Sequence, residues 1–399
     1  MKSTDDTWQT DLRRALQRHA IEGVQRSLTC IAEREGPYVI VDEQRLLNLA
    51  SNDYLGLATD SLFRDPFYAV CTDTDAVDHF GSSSSSSRLL AGSTKLVDAC
   101  ENSLADLYGR EAALLFSSGY HANLGVITSL AGRDDVVFSD KQNHASIIDG
   151  ILLSRATMHR YRHADYTHLR ELLAAHRGEG RHAVIISESL FSMDGDFADL
   201  AALVALKKEF DAILIIDEAH AVGAIGHHGC GLAEVAGLIQ DIDVIIGTGG
   251  KALAAMGAFV VSDALVRETL VNSARSFIFT TAPPPVMIAW LWYVIRHLGD
   301  TGERRRALAD RAHFLRDGLR DAGCEVRGSA HIVPVMAGTN RDAVALAETL
   351  RQHGFFAPAI RPPTVPDGAA RVRLSLSASL SRDDIADIPR IVASVPHAH

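Results

Sequence analysis

Ile213-Leu214-Ile215-Ile216-Asp217-Glu218-Ala219-His220 and, further along, Val244-Ile245-Ile246-Gly247-Thr248-Gly249-Gly250-Lys251 share one pattern: a short aliphatic run followed at once by small and charged residues. A run of three or four branched aliphatic side chains has the length of a buried strand and is too short for a helix. Outward from these two, similar runs occur at residues 112–116, 136–139, 183–187 and 258–261, with helix-like stretches between them. The alternation predicts βαβ units, and hence an α/β domain whose mainly parallel sheet is covered by helices on both faces.

The 399 residues exceed one ordinary domain, and 47% hydrophobic against 22% charged residues supplies a sizeable core. A net charge of -11 argues against nucleic acid, which needs a basic footprint. No apolar run approaches the ~20 residues of a membrane span, and the start, MKSTDDTWQTDLRR, has acidic residues where a signal peptide is charged and apolar. The five cysteines are scattered without C-x-x-C spacing, so neither a disulfide framework nor a metal site is signalled, and a reducing cytoplasm is expected.

Leu12, Leu16, Ile21 and Val24 fall near one helical face, so residues 1–45 read as an N-terminal arm that begins with an amphipathic helix. The large domain then spans 46–285. Three consecutive prolines, Pro283 to Pro285, break any regular element, and a long helical stretch over 286–321 is expected to open a smaller α+β domain, 286–399, with strands near 332–335 and 372–376.

In an open α/β sheet, reactive groups collect beyond the carboxyl ends of the strands. Asp217 ends one run, Lys251 comes just after the next, and 137–138 lead to Asn143 and His144. A lysine amine with a carboxylate nearby suits pyridoxal 5'-phosphate (PLP) chemistry: the amine bonds the cofactor carbonyl and the acid faces the pyridine nitrogen. The Asp-Glu-Ala-His string also fits the Mg²⁺ motif of a nucleic-acid-dependent ATPase, but no G-x-x-x-x-G-K-[ST] loop lies upstream. Gly223, Gly226 and Gly229 miss the G-x-G-x-x-G spacing of a dinucleotide site.

Further strings complete the picture: Leu49-Ala50-Ser51-Asn52-Asp53-Tyr54-Leu55-Gly56-Leu57, Ser117-Ser118-Gly119-Tyr120 with Asn123, Asn143-His144-Ala145-Ser146, Ser189-Leu190-Phe191-Ser192-Met193-Asp194-Gly195 and Arg275-Ser276-Phe277-Ile278-Phe279-Thr280-Thr281. With them the chain resembles, over nearly its whole length, the α-oxoamine synthases. These are PLP enzymes of fold type I that condense an amino acid with an acyl thioester and release CO₂. The resemblance implies a seven-stranded, mainly parallel sheet and a homodimer with active sites at the subunit interface.

By that resemblance Lys251 is the Schiff-base lysine and proton acceptor, Asp217 holds the pyridine nitrogen, His144 stacks on the ring and His220 reaches its phenolic oxygen. The turn Ser118-Gly119-Tyr120 and Thr248 hold the phosphate, the former at a positive helix end, and Thr281 is supplied across the dimer. Arg373 grips the amino-acid carboxylate with its guanidinium fork. Asn52, Ser192 and Glu188 lie in substrate-site motifs, while Arg26 and Arg361 are candidates for the acyl substrate. Residues 361–366 and 371–374 look most like the members that join L-alanine to a pimeloyl thioester, carried by coenzyme A or acyl-carrier protein, in biotin synthesis.

Several positions depart from the family pattern. Six serines at 82–87 stand where glycines are usual, which is expected to remove access to positive φ and to narrow the acyl channel. Val97 and Leu380 stand where histidines are usual, and His121 where a small or apolar residue is common. A different acyl donor or amino acid, and a PLP-binding protein without synthase activity, stay open as alternatives.

Overall fold

The computed structural model describes residues 7–73 and 81–395, without the side chains of 70–73; residues 1–6 of the expected arm lie outside them. In chain order the described strands are β1 (Glu33–Glu35), β2 (Tyr38–Val41), β3 (Gln44–Asn48), β4 (Ala112–Phe116), β5 (Val136–Asp140), β6 (Thr157–Tyr161) and β7 (Ala183–Glu188). They continue with β8 (Ala212–Asp217), β9 (Val244–Thr248), β10 (Ala258–Ser262), β11 (Ile332–Gly338), β12 (Phe355–Phe356), β13 (Ala359–Ile360) and β14 (Ala370–Ser375).

The larger compact unit, Asn52–Ser192 with Asp196–Leu308, holds a seven-stranded sheet in the order β4-β10-β9-β8-β7-β5-β6. All neighbours pair in parallel except β10, which runs antiparallel to both β4 and β9. This is the seven-stranded, mainly parallel sheet that the resemblance implies. Alternate side chains along the strands, Leu114 and Phe116, Val184 and Ile186, Val244 and Ile246, bury one face under helices Gly119–Leu130 and Ala145–Ser154. The opposite residues, Leu115, Ile185 and Ile245 among them, are equally buried, which is why these strands read as continuous apolar runs. Strand β6 gives no such signal, because Thr-Met-His-Arg-Tyr is an edge strand, only partly buried and without an apolar run. The short return from β9 to β10 needs no crossover helix, and its loop carries Lys251.

The smaller unit comprises Met1–Ser51, Met193–Gly195 and Ala309–His399. The divisions expected at 45/46 and 285/286 therefore shift. Strand β3 pairs in parallel with β12 through Leu47 and Phe355, so residues 33–48 are integral to the smaller unit and only the preceding stretch is an arm. Helix Pro285–Arg296 packs on helix Lys95–Tyr108 within the larger unit. The stretch 286–321 is two helices, ending at Arg296 and restarting at Gly302, separated by the turn Leu298–Thr301. A second, three-stranded sheet orders β11-β14-β13, confirming the two expected C-terminal strands.

The arm helix, Trp8–Ile21, is capped by the Thr7 hydroxyl, which accepts from the Thr10 amide, and buries none of its residues. Trp8, Leu12 and Leu16, spaced four apart, leave an apolar stripe exposed.

Candidate functional site

Four parallel strand ends in the larger unit, with the helix after β4, gather the reactive groups. Asp217, the last residue of β8, is 5% exposed and fixed at both oxygens: Oδ1 accepts from the Ala219 amide at 2.8 Å, and Oδ2 accepts from Asn123 Nδ2 at 2.8 Å. Asn123 Nδ2 also donates to Ser146 Oγ at 3.0 Å, which ties the first turn of one helix to that of the next. Glu188, the last residue of β7, stands opposite Asp217 in the sheet register. Its Oε1 accepts from the His144 amide at 2.6 Å, so this residue, expected to meet substrate, also positions the His144 main chain. Burial and the Asp217 charge push its pKa up to about 8, with Lys251 pulling the other way.

His144 caps helix Ala145–Ser154 by accepting at Nδ1 from the Ser146 amide. The residue stays solvent-exposed, as a platform for a flat ring requires. Desolvation on its protein side lowers its pKa, Asp217 opposing and Lys251 adding to the shift. Lys251 is half-buried and lies within electrostatic reach of both His144 and Glu188. Its turn is closed by the Ala254 amide on the Lys251 carbonyl, 2.8 Å, with Ala254 itself at φ +47°. A left-handed non-glycine residue beside a reactive group is the usual location of stored backbone strain.

Ser118 begins helix Gly119–Leu130, its hydroxyl accepting from the His121 amide and meeting His121 Nδ1 at 2.8 Å. A Cβ on Gly119 would stand 4.0 Å from Thr248 Oγ1, so the open helix end and the buried Thr248 hydroxyl face one small space. The Tyr120 side chain is exposed and its hydroxyl donates to Asp149, so only its main-chain amide faces the helix-end role expected of this turn. Thr281 is exposed too; its carbonyl accepts from Ser117 Oγ at 3.3 Å, and it bridges to Ser87.

His220 is buried, and its Nδ1 lies 2.6 Å from the Tyr54 hydroxyl, which also donates to Asn52 Oδ1 at 3.1 Å. Sequence reasoning assigns no role to Tyr54 or Asn123, although both stand in the motifs quoted above; each acts through a neighbour. Ser192 is half-buried in the segment after β7 that returns on itself through the Leu190–Phe197 bridge.

In the smaller unit Arg373 lies half-buried on β14, opposite Pro334 of β11. Two residues away Arg371, 2% exposed, grips Asp194 Oδ1 at 2.5 Å and the Met193 carbonyl at 3.1 Å. Arg26 and Arg361 line one cleft of about 460 Å³ with Phe355, Phe356, Pro358 and Ile360. Arg26 donates to Thr364 Oγ1 at 2.7 Å, and Arg361 to the Gly23 carbonyl at 2.5 Å.

The departures divide in two. Val97 and Leu380 are core residues, each buried within its own unit. The serine tract is bound to the 281–283 segment: Ser84 Oγ donates to the Pro283 carbonyl at 2.8 Å and the Ala282 amide to the Ser86 carbonyl at 3.0 Å. Ser85 adopts φ +46°, so replacing glycine has not removed positive φ here; it makes that conformation costlier by roughly 1–2 kcal/mol.

An amine, a doubly braced buried carboxylate, an accessible imidazole and a positive helix end beside a hydroxyl are the donor set that a PLP ring and phosphate require, so the residues fit that cofactor. Residues 44–389 match the family described as Aminotransferase class I and II. The 8-amino-7-oxononanoate synthase of Chlorobaculum parvum is 49% identical over 360 residues, 90% of this chain and 92% of that one. The serine palmitoyltransferase of Sphingomonas wittichii superposes with a TM-score of 0.89 at 32% identity, covering 99% of this chain and 98% of that one. A serine palmitoyltransferase from S. paucimobilis with bound PLP–myriocin gives 0.89 at 30% identity and 97% of both chains. No helix among the described residues is long and apolar enough to cross a membrane.

Proposed function

The chain belongs to the aminotransferase class I and II family, in its α-oxoamine synthase branch, and we propose that it joins L-alanine to a pimeloyl thioester, releasing CO₂ and the free thiol carrier and giving 8-amino-7-oxononanoate for biotin synthesis. The observation that carries this reading is the cluster of Asp217, braced by Asn123, with Lys251, His144 and Glu188 at adjacent strand ends, in a chain 49% identical to a synthase of that name.

Lys251 Nζ would bond the cofactor, Asp217 would keep its pyridine nitrogen protonated, and His144 would lie against the ring. Main-chain amides at Ser118 to Tyr120, with the Thr248 hydroxyl, hold the phosphate. Tyr54 orients His220 through Nδ1, and Nε2 is the nitrogen we assign to the phenolic oxygen. When bound, PLP supplies a sink for the electron pair left at the amino-acid Cα. The Lys251 amine would take the Cα proton at Nζ and later return one, and His144 and His220 would assist proton movement. Arg373 holds the amino-acid carboxylate as a bidentate partner, with Asn52 and Ser192 lining the substrate side. Glu188 fixes the His144 main chain by accepting from its amide.

Arg26 and Arg361, in their partly apolar cleft, suit an acyl chain that ends in a negative charge. A homodimer completes the site, with Thr281 contributed to the partner; exposed Leu89, Leu90, Leu152, Leu153 and Phe279 support a covered face. Free, unlinked thiols at Cys30, Cys100, Cys230 and Cys324 suit the cytoplasm. A second reading, a different acyl donor, is favoured by the serine tract held against residues 281–283.

The experiment is to supply purified holoenzyme with L-alanine and pimeloyl thioester, on coenzyme A or acyl-carrier protein, and to look for 8-amino-7-oxononanoate by mass spectrometry. Preferential formation of that product is expected. Efficient turnover only with other acyl thioesters or amino acids overturns the substrate assignment, and cofactor binding with no product from any donor overturns the synthase reading. Light scattering should give twice the chain mass, and an active monomer defeats the dimer.

A further inference from the structure

Away from the strand ends, His159, His176 and Glu179 place two imidazole nitrogens and a carboxylate within 4.8 Å of one another. They come from three pieces of structure: the edge strand β6, the end of helix Tyr166–His176 and the adjoining turn Arg177–Glu179. The histidine rings stack with centroids 4.0 Å apart and 17° between planes, and Phe138 backs His159 from the neighbouring strand. Glu179 meets both rings, Oε2 at 3.0 Å from His159 Nε2 and Oε1 at 2.6 Å from His176 Nδ1.

The turn that carries the carboxylate is held from several sides. Arg177 donates to the carbonyls of Phe210 at 2.8 Å and Asp211 at 3.1 Å. Gly180 lies so close to the start of β5 that a Cβ would stand 2.6 Å from the Val136 amide nitrogen. The Arg181 amide donates to the Asp134 carbonyl at 2.6 Å. Glu179 is thus presented by fixed main chain, and His159 by a paired strand.

We propose that His159, His176 and Glu179 form a binding site for one divalent transition cation, of the Zn²⁺, Ni²⁺, Co²⁺ or Cu²⁺ class, that clips the edge of the large sheet to the helix covering it. Two imidazoles with one carboxylate select borderline metals over Mg²⁺ or Ca²⁺, and water completes the coordination. Tetrahedral bonds of ~2.0–2.2 Å put ligand atoms ~3.3–3.6 Å apart, so closure of up to ~1.5 Å, with the stacked rings turning to aim at one ion, is required. Sequence spacing cannot announce this site, because His159 comes from a different element. The other histidine pair near a carboxylate, His227 and His228 with Glu234, is built differently: Glu234 accepts from the amides of His228 at 2.8 Å and Cys230 at 2.9 Å and braces its own turn.

The test is equilibrium dialysis of the PLP-loaded enzyme against ZnCl₂, with bound metal counted per chain. Wild type should hold one equivalent more than the variant His159→Gln/His176→Gln, while His227→Gln/His228→Gln should match wild type. Glu179→Gln, a single exposed change that keeps the fold, should weaken that equivalent by at least ~tenfold, the scale of loss seen even for supporting residues at metal sites. Zinc should also raise the melting temperature of wild type but not of the double variant. Indistinguishable zinc isotherms for wild type, the His159/His176 double variant and Glu179→Gln would overturn the proposal.

Discussion

Asp217 is held by Asn123 and by the Ala219 amide on a strand paired on both sides, whereas Arg26 and Arg361 hold a threonine and a main-chain carbonyl on the arm and in a proline-rich loop. The first place is assembled from strand ends whose positions are dictated by the sheet. The second is assembled from connecting segments whose side chains engage each other across a cleft. A group that must keep one geometry belongs on a rigid frame, whereas connecting segments are where sequence can drift.

That contrast is broken or sharpened by substitution. Lys251→Ala should have the largest effect, reducing product formation by at least ~10³-fold while leaving the far-ultraviolet circular dichroism unchanged. Asp217→Asn should come next, at ~10²–10³-fold in kcat, because a neutral amide cannot keep the pyridine nitrogen protonated; an activity near wild type would show that the strand-end carboxylate is not the essential acid. Arg371→Met removes the buried partner of Asp194 and leaves it only the half-exposed Arg327, 3.6 Å away, so denaturant unfolding should report a loss of up to about 3 kcal/mol, the low end for breaking a buried pair. Arg361→Ala, in the cleft, should raise KM for the acyl thioester ~tenfold and leave KM for the amino acid unaltered. Equal effects on both substrates would remove the distinction between the two regions.

The smallest effect concerns His163, set between Asp140 at 2.9 Å and Asp196 at 2.8 Å. Partial burial works against its charge, but the two carboxylates outweigh it and push the pKa up to about 10. A folded pKa above the unfolded value of ~6.5 stabilises fully below that pH and is lost as pH rises through about 10. His163→Asn should therefore lower the melting temperature more at pH 6 than at pH 10.5, and a constant difference would show that the charge does not matter.

The buried strands and the residues ending them are legible in sequence because a sheet covered on both faces writes itself as uninterrupted aliphatic runs. Lys251 and Asp217 stand out once the residues that close each run are compared. The direction of β10 is not legible, since antiparallel and parallel strands carry the same apolar pattern. The division of the chain fails at both ends for one reason: a boundary obeys spatial contacts, and both β3 with β12 and helix Pro285–Arg296 with helix Lys95–Tyr108 join partners distant in sequence. Tyr54 and Asn123 are invisible as functional groups because each acts on another residue, His220 or Asp217, and that pairing is not recorded in spacing.

Strand β6 has a consequence for the protein in crowded solution. It ends the large sheet with unpaired main-chain groups along one side, the kind of edge on which a second chain can nucleate a growing fibril. Here the residues are Thr, Met, His, Arg and Tyr, with Arg160 reaching the Lys141 carbonyl and His159 stacked beneath His176. A polar, side-chain-crowded border of this kind offers a passing strand no apolar seam to zip onto, so the sheet stops growing at seven strands and aggregation is resisted at the place where it would otherwise begin.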